Sequence, residues 1–250
     1  MSRGIFVAGT DTGVGKTRLT VALLRALQRL GISASGMKPV AAGSSNRAPD
    51  RAGYTAPIAE FRSTINEDVA AIAACSAPGC EPEISTYVFD LPASPHIGAR
   101  RDGVIIDPER VALSYRRLSR RCEAIVVEGT GGWFTPISES ATMADIAVRL
   151  NLPVVLTVGL RLGCLNHALL SQQAIGAAGL VLAGWIGSVL DPQLCALEAN
   201  IATLDARLTA PRLALLPHCL ATDRDAEHLA GAAAALFTSP QSDSRRGRGL

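Results

Sequence analysis

The short apolar run Ile5–Ala8 passes directly into Gly9-Thr10-Asp11-Thr12-Gly13-Val14-Gly15-Lys16-Thr17, and this junction constrains the fold more than any other part of the chain. The run reads as a strand, the glycine-rich stretch as a tight turn, and Lys16–Arg29 as the helix that the turn opens. Backbone N–H groups in such a turn converge on phosphate oxygens, and the start of the helix adds a favourable dipole. Thr12, Gly13, Val14 and Gly15 are therefore expected to wrap a polyphosphate, with Arg18 beside it. Lys16 would reach the β- and γ-phosphates of ATP, and the Thr17 hydroxyl would hold Mg2+. The strict P-loop pattern begins with a glycine where Thr10 stands, so the loop is a variant with Gly9 one place early.

Beyond the loop, short apolar runs alternate with helical patterns, which is the mark of βαβ units and a parallel sheet. Further strands are expected at Ser33–Met37, Ala124–Val127, Val154–Val158, Leu182–Ile186 and Leu213–Leu216. Helices are expected at Glu67–Cys75, Pro108–Arg121, Met143–Leu150, Asn166–Ala178, Pro192–Leu208 and Ala226–Phe237. The predicted fold is α/β, a P-loop NTPase-like three-layer arrangement around a mostly parallel central sheet. Residues 1–238 would form a single domain. Residues 239–250, with Arg245, Arg246 and Arg248 among Ser, Gly and Pro, read as a disordered tail. Ser44–Thr64, rich in Ser, Pro, Gly and Arg, reads as a long loop, either a lid or a tolerated insertion.

A chain of 250 residues that is 48% hydrophobic but only 4% aromatic suits an aliphatic core of this kind, large enough to need no disulfides. Cys75, Cys80, Cys122, Cys164, Cys195 and Cys219 include no Cys-x-x-Cys pair, so buried free thiols are expected rather than a zinc or redox site. The net charge of +2 gives no reason to expect a nucleic-acid partner. No apolar run approaches the ~18 residues of a membrane span, and the first residues do not read as a signal peptide. A cytoplasmic location with no membrane partner is the expectation.

Of the 24 basic residues only two are lysines, Lys16 and Lys38. In so arginine-rich a chain, these mark positions that need a compact ammonium rather than a planar guanidinium. Gly36-Met37-Lys38-Pro39-Val40 ends the second expected strand, which puts Lys38 on the same rim as Lys16, where ligands of open parallel sheets sit. Val126-Val127-Glu128-Gly129-Thr130-Gly131-Gly132 ends another strand there. Glu128 would supply a second Mg2+ contact, while Gly129, Thr130 and Gly131 let backbone approach phosphate.

Together these segments resemble the dethiobiotin synthetase family. The likeness extends through Ser94-Pro95-His96, Gly132-Trp133-Phe134-Thr135-Pro136, Leu162-Gly163-Cys164-Leu165-Asn166-His167 and Ala183-Gly184-Trp185, in that order. The resemblance implies a homodimer that uses Mg2+-ATP and CO2 to close a cyclic urea on 7,8-diaminononanoate. A carbamate on one amine would be phosphorylated, and the second amine would displace phosphate. It assigns Lys16 and Lys38 as catalytic, and Thr17, an aspartate and Glu128 as metal contacts. The aspartate is Asp68, by its helix-start context, or alternatively Asp50. Thr12, Lys38 and Ala42 would meet substrate, whose carboxylate would lie near Gly163 and Asn166 at the subunit interface, close to a helix start. Ser188, Val189, Pro217, His218 and Cys219 would lie on the base side of ATP. His96 and His167 are read as structural or supporting.

Some residues depart from the family pattern. Ala42 stands where serine is frequent, and Pro192–Leu208 has no tyrosine. Ser188 replaces an adenine-reading asparagine, and one hydroxyl offers less than a paired donor and acceptor, so relaxed base selectivity is expected. Two other readings share the loop. A cobyrinate-type amide synthetase would need a glutaminase domain, for which too few residues follow Leu208. An ATPase switch acting on DNA or division proteins would carry a further lysine where Asp11 stands.

Overall fold

The computed structural model describes residues 2–43, 66–218 and 223–238. Asp50, the Ser44–Thr64 segment, Cys219 and the tail 239–250 lie outside the described residues.

Strand β1 (Arg3–Gly9) is followed by helix α1 (Lys16–Arg29), β2 (Ala34–Met37), β3 (Val40–Ala42), α2 (Glu67–Ala73) and β4 (Tyr87–Phe89). Then come α3 (Pro95–Arg101), α4 (Pro108–Leu118), β5 (Ala124–Glu128), α5 (Met143–Leu150) and β6 (Val154–Leu160). The chain continues through α6 (Cys164–Ala177), β7 (Leu182–Val189), α7 (Leu197–Arg207), β8 (Arg212–Leu216), α8 (Asp223–His228) and α9 (Ala230–Phe237). The main sheet has strand order β2-β5-β1-β6-β7-β8, and every pairing in it is parallel.

Period-two alternation sorts the strands into two cores. Phe6, Ala8, Ile125, Val127, Leu156 and Val158 face one side, with residues of α3 to α7. Ile5, Val7, Ala124, Val126, Val155 and Ile186 face the other, with α1, α8, α9 and Ile72 of α2. This gives the three layers, and because both faces are covered the strands read as continuous apolar runs. Leu19, Leu23, Leu24 and Leu27 of α1 are completely or almost completely buried. Their spacing along one helical stripe is what seats α1 on the sheet, and each such leucine stabilises the fold by roughly 1.5–3 kcal/mol.

Local chemistry sets the helix limits. The Asp107 side chain accepts from Glu109 N at 2.8 Å, with Pro108 in the first turn of α4. Thr142 and Asp145 form a capping box at α5, which ends at Asn151 in a left-handed conformation (φ 51°).

Several elements differ from expectation. The two-stranded parallel sheet β3–β4 and helix α3 have no counterpart in the sequence reading, since strands of three residues show no usable alternation. The helix expected from Pro192 begins only at Leu197. Asp191 Oδ1 accepts from Gln193 N at 2.9 Å in a side-chain turn, and Ala196 is left-handed (φ 57°). The last expected helix is divided at Leu229 into α8 and α9. Cys75, Cys80, Cys122 and Cys164 are buried free thiols, but Cys195 is exposed in the open turn before α7. No helix among the described residues is long and apolar enough to cross a membrane.

Candidate active site

The strand order places six carboxyl ends on one rim. β1 is central, and the chain leaves it through α1 to reach β2, passing over the position that β5 fills. Connections therefore diverge on either side of β1, and the crevice this opens is where open α/β sheets take ligands.

The loop after β1 is held to the sheet by Thr10 N, which donates to Thr157 O at 3.0 Å, and by Gly159 N, which donates to Thr10 Oγ1 at 3.3 Å. Gly13 and Gly15 have φ of 72° and 90°, a region that side-chain-bearing residues avoid. Thr12 and Gly13 are exposed on the loop, and Val14 is buried beneath it. Lys16 folds back across the loop. Its Nζ donates to Asp11 O at 2.8 Å and would stand 2.8 Å from a Cβ on Gly9. Any side chain at Gly9 would therefore dislodge the lysine.

Thr17 Oγ1 donates to Glu128 Oε1 at 2.7 Å, and Lys38 Nζ donates to the same oxygen at 2.8 Å. Lys38 also forms an ion pair with Asp68 Oδ2. Lys38 thus bonds this carboxylate directly, and Lys16 is close enough to feel its charge. Glu128 is fully buried, and its Oε2 has no hydrogen-bond partner. Burial alone would push the Lys38 ammonium down, but Glu128 and then Asp68 outweigh it and hold it above the usual lysine value. Burial pushes Lys16 down to about 8, with Glu128 opposing the shift and Lys38 adding to it.

That depression has a consequence for nucleotide binding. Bound phosphates favour the charged lysine, so above about pH 8 the free enzyme must take up a proton to bind. ATP affinity is expected to be flat below that pH and to weaken above it, by up to about tenfold per pH unit. Calorimetric titration of a non-hydrolysable ATP analogue between about pH 7 and 9.5 checks this. Constant affinity across the range would contradict it.

A hydroxyl and two carboxylates form an oxygen donor set suited to a hard divalent cation. The buried, unpartnered Glu128 Oε2 supports the same fit. Thr17, Asp68 and Glu128 are the residues that could hold Mg2+, with phosphate oxygens and water completing the shell. Asp68 lies in the first turn of α2, whose start is tied down by Asn66: its Oδ1 accepts from Val69 N at 3.1 Å and its Nδ2 donates to Gly43 O at 2.5 Å. Ala42 lies beside Asn66, whose Nδ2 is 3.5 Å from the Ala42 carbonyl.

Gly129, Thr130 and Gly131 follow Glu128 directly. Gly129 N donates to Val7 O at 2.9 Å, Thr130 Oγ1 donates to Val40 O, and Gly131 has φ of 66°. This segment therefore packs against the β1 end, where a Cβ on Gly129 would press on the Phe6 ring at 3.1 Å.

On the other side of the rim, Arg18 engages Asp225. Its Nε donates to Oδ2 at 2.7 Å and its Nη2 to Oδ1 at 2.6 Å, while Nη1 donates to Pro217 O at 2.8 Å. Asp225 is almost completely buried, and no motif marked it. In the charged run Asp223-Arg224-Asp225-Ala226-Glu227-His228 of α8 nothing local distinguishes it from its neighbours, and only the fold shows which acid is buried. His218 Nδ1 lies 3.3 Å from Val189 O, which brings the end of β7 to the segment after β8. Ser188 is not beyond its strand but within β7. It is buried, with Oγ 3.0 Å from where a Cβ on Gly15 would stand, so its hydroxyl packs beneath the phosphate loop.

Gly163 (φ 94°) and Asn166 begin α6. Among the described residues no hydrogen bond joins them to the Lys38 cluster. The nearest link is the ion pair of Arg161 with Asp11, a pair the sequence reading did not anticipate. His96 Nδ1 is 3.1 Å from Ser94 Oγ at the start of α3.

Comparison with known proteins agrees with this arrangement. A family model described as an AAA domain matches residues 3–226. The chain is 42% identical over 223 residues to the ATP-dependent dethiobiotin synthetase BioD of Aromatoleum aromaticum, covering 88% of this chain and 93% of that protein. It is 44% identical over 213 residues to the protein of the same name from Ralstonia nicotianae, covering 85% and 87%. Among solved structures, the MinC:MinD cell division protein complex of Aquifex aeolicus superposes with a TM-score of 0.54 at 14% identity, covering 98% of this chain and 100% of that one. The Pyrococcus furiosus cell division ATPase MinD gives 0.52 at 16%, covering 95% and 99%. At such identities the second pair establishes the fold alone, whereas the first pair matches most of both chains, and the chain therefore belongs to the ATP-dependent dethiobiotin synthetase family.

Proposed function

We propose that this protein is an ATP-dependent dethiobiotin synthetase that joins 7,8-diaminononanoate and CO2 into the cyclic urea of dethiobiotin, releasing ADP and phosphate. The observation that carries the reading is the meeting of Lys38 and Thr17 at the buried Glu128 beside a phosphate loop, with Lys16 within reach of its charge. Phosphoryl transfer needs charge neutralisation and positioning more than covalent help from the protein. Two ammonium groups on one rim supply that charge where a carbamate oxygen meets the γ-phosphate.

In this mechanism Lys16 leaves Asp11 O to follow the β- and γ-phosphates, while the amides of Thr12 to Thr17 hold the chain of phosphates. Lys38 orients the carbamate formed on one amine and balances the charge as the γ-phosphoryl group passes to it. The second amine then attacks the carbamic-phosphoric anhydride carbon. The C–N bond forms, the C–O bond to phosphate breaks, and the amine proton departs to solvent. Thr17, Asp68 and Glu128 would hold Mg2+, which would offset the charge of the phosphates. Thr12 and the Ala42 region line the diamine, and Gly163 and Asn166 take its carboxylate across a homodimer interface. Val189, Pro217 and His218, braced through Arg18, flank the base, with Cys219 next in sequence. Residues 1–238 act as one domain, in the cytoplasm.

The test is turnover with the diamine, bicarbonate and Mg2+-ATP, followed by mass spectrometry for dethiobiotin and by phosphate release. Hydrolysis of ATP that ignores the diamine but rises with DNA or lipid would replace this reading with that of an ATPase switch.

The assignment of Asp68 is tested separately. Asp68→Asn is expected to raise the Mg2+ concentration for half-maximal rate by about tenfold or more, with Asp50→Asn leaving it unchanged. A rise seen only for Asp50→Asn would move the metal contact to that residue.

A further inference from the structure

We propose that Lys38 is the resident counter-ion of the metal-binding carboxylates, so that a divalent cation enters this site together with nucleotide and not before it. The inference rests on the assignment of Thr17, Asp68 and Glu128 to the metal, and concerns what those groups do without it.

One oxygen of each residue the cation would use is already engaged. Thr17 Oγ1 gives its proton to Glu128 Oε1 at 2.7 Å, and Lys38 Nζ donates to that same oxygen at 2.8 Å. The other half of the ammonium's bonding goes to Asp68 Oδ2. Glu128 Oε2 has no partner among the described residues and is left for the cation once the ammonium has moved. A Mg2+ ion binds its oxygens at about 2.0–2.1 Å. It cannot share Glu128 Oε1 and Asp68 Oδ2 with an ammonium that lies between them, because the two cations would repel at close range in a site that water screens poorly.

Charge balance points the same way. Lys16 and Lys38 offset Asp68 and Glu128, so without ligand the cluster is neutral, and a free divalent ion would have to displace a paired lysine while bringing unbalanced charge. A metal-nucleotide complex carries its own anion. Its γ-phosphate gives the displaced ammonium a new partner on the same rim, which is where the proposed reaction needs Lys38. The backbone makes such an exchange possible. Lys38 N is fixed to Ile84 O at 2.7 Å and Pro39 follows, so the main chain is anchored while four methylenes carry the ammonium from one partner to the other. One lysine therefore serves two states, which explains why this position keeps a flexible point charge in a chain that otherwise uses arginine.

The test is Mn2+ binding by electron paramagnetic resonance on the full-length protein, with and without a non-hydrolysable ATP analogue. Without nucleotide, Lys38→Met is expected to bind Mn2+ at least about tenfold more tightly than wild type, and Lys38→Arg, which keeps the counter-charge, to stay near wild type. Lys38→Gln serves if the methionine variant loses its thermal transition. Equal Mn2+ affinity of wild type and both neutral variants overturns the proposal. With the analogue present, wild type is expected to bind Mn2+. Absence of binding there overturns the metal assignment itself, and the counter-ion role falls with it.

Discussion

Lys16→Arg is expected to lower kcat for dethiobiotin formation by at least about a hundredfold, a loss of ~2.7 kcal/mol in transition-state stabilisation, although the positive charge is kept. The space around the side chain is the reason. Lys16 lies in a slot so narrow that its Nζ and Cδ would be 2.8 and 2.9 Å from a Cβ on Gly9, and its ammonium reaches only a backbone carbonyl, Asp11 O. A guanidinium is wider, planar and committed to a fork of donors. It can enter only by opening the loop whose amides must stay aimed at phosphate. Steady-state kinetics at saturating diamine, bicarbonate and Mg2+-ATP measure the effect. Retention of more than about a tenth of the wild-type kcat would mean that charge alone suffices.

Glu128→Gln is expected to cost about a thousandfold in kcat and to abolish Mn2+ binding in the presence of the ATP analogue. The amide is nearly the same size, so packing beside Phe6 and Val7 is kept. What changes is charge. Glu128 Oε1 accepts from both Thr17 and Lys38 at zero exposure, and a neutral group there leaves the Lys38 ammonium with Asp68 alone. Removing one partner of a buried pair commonly destabilises by about 3–5 kcal/mol; here the loss is expected to be smaller, because Asp68 remains and is partly solvated. Thermal melting separates the two effects. A folded Glu128→Gln protein with near-normal kcat would remove Glu128 from the reaction.

The phosphate loop, its strand and its helix were all readable in the sequence because each is coded locally. A tight glycine turn needs residues free to take positive φ, and Gly13 and Gly15 do so. The apolar spacing of α1 repeats with the helical period, and its bounds coincide with those expected. The six strands of the main sheet were each located for the same reason, and the scarcity of lysine pointed to Lys16 and Lys38 before any contact was known.

What the sequence could not supply is which strand lies beside which, and therefore which distant groups touch. β5 inserts between β1 and β2, an order set by how two apolar faces close over one sheet rather than by any pattern along the chain. That order brings Glu128 to Thr17 across 111 residues and Arg18 to Asp225 across 207. It also puts Ser188 beneath Gly15, a neighbour that no pattern along the chain announces. Short elements such as β3, β4 and α3 escaped for a related reason, since they have too few residues to show a period and take their form from what they pack on. Local rules determined the loop, the longer helices and the strands of the main sheet; the tertiary fold decided that Lys38 and Thr17 share one buried carboxylate near Lys16, because only long-range packing can bring groups from the ends of β2 and β5 and the start of α1 together.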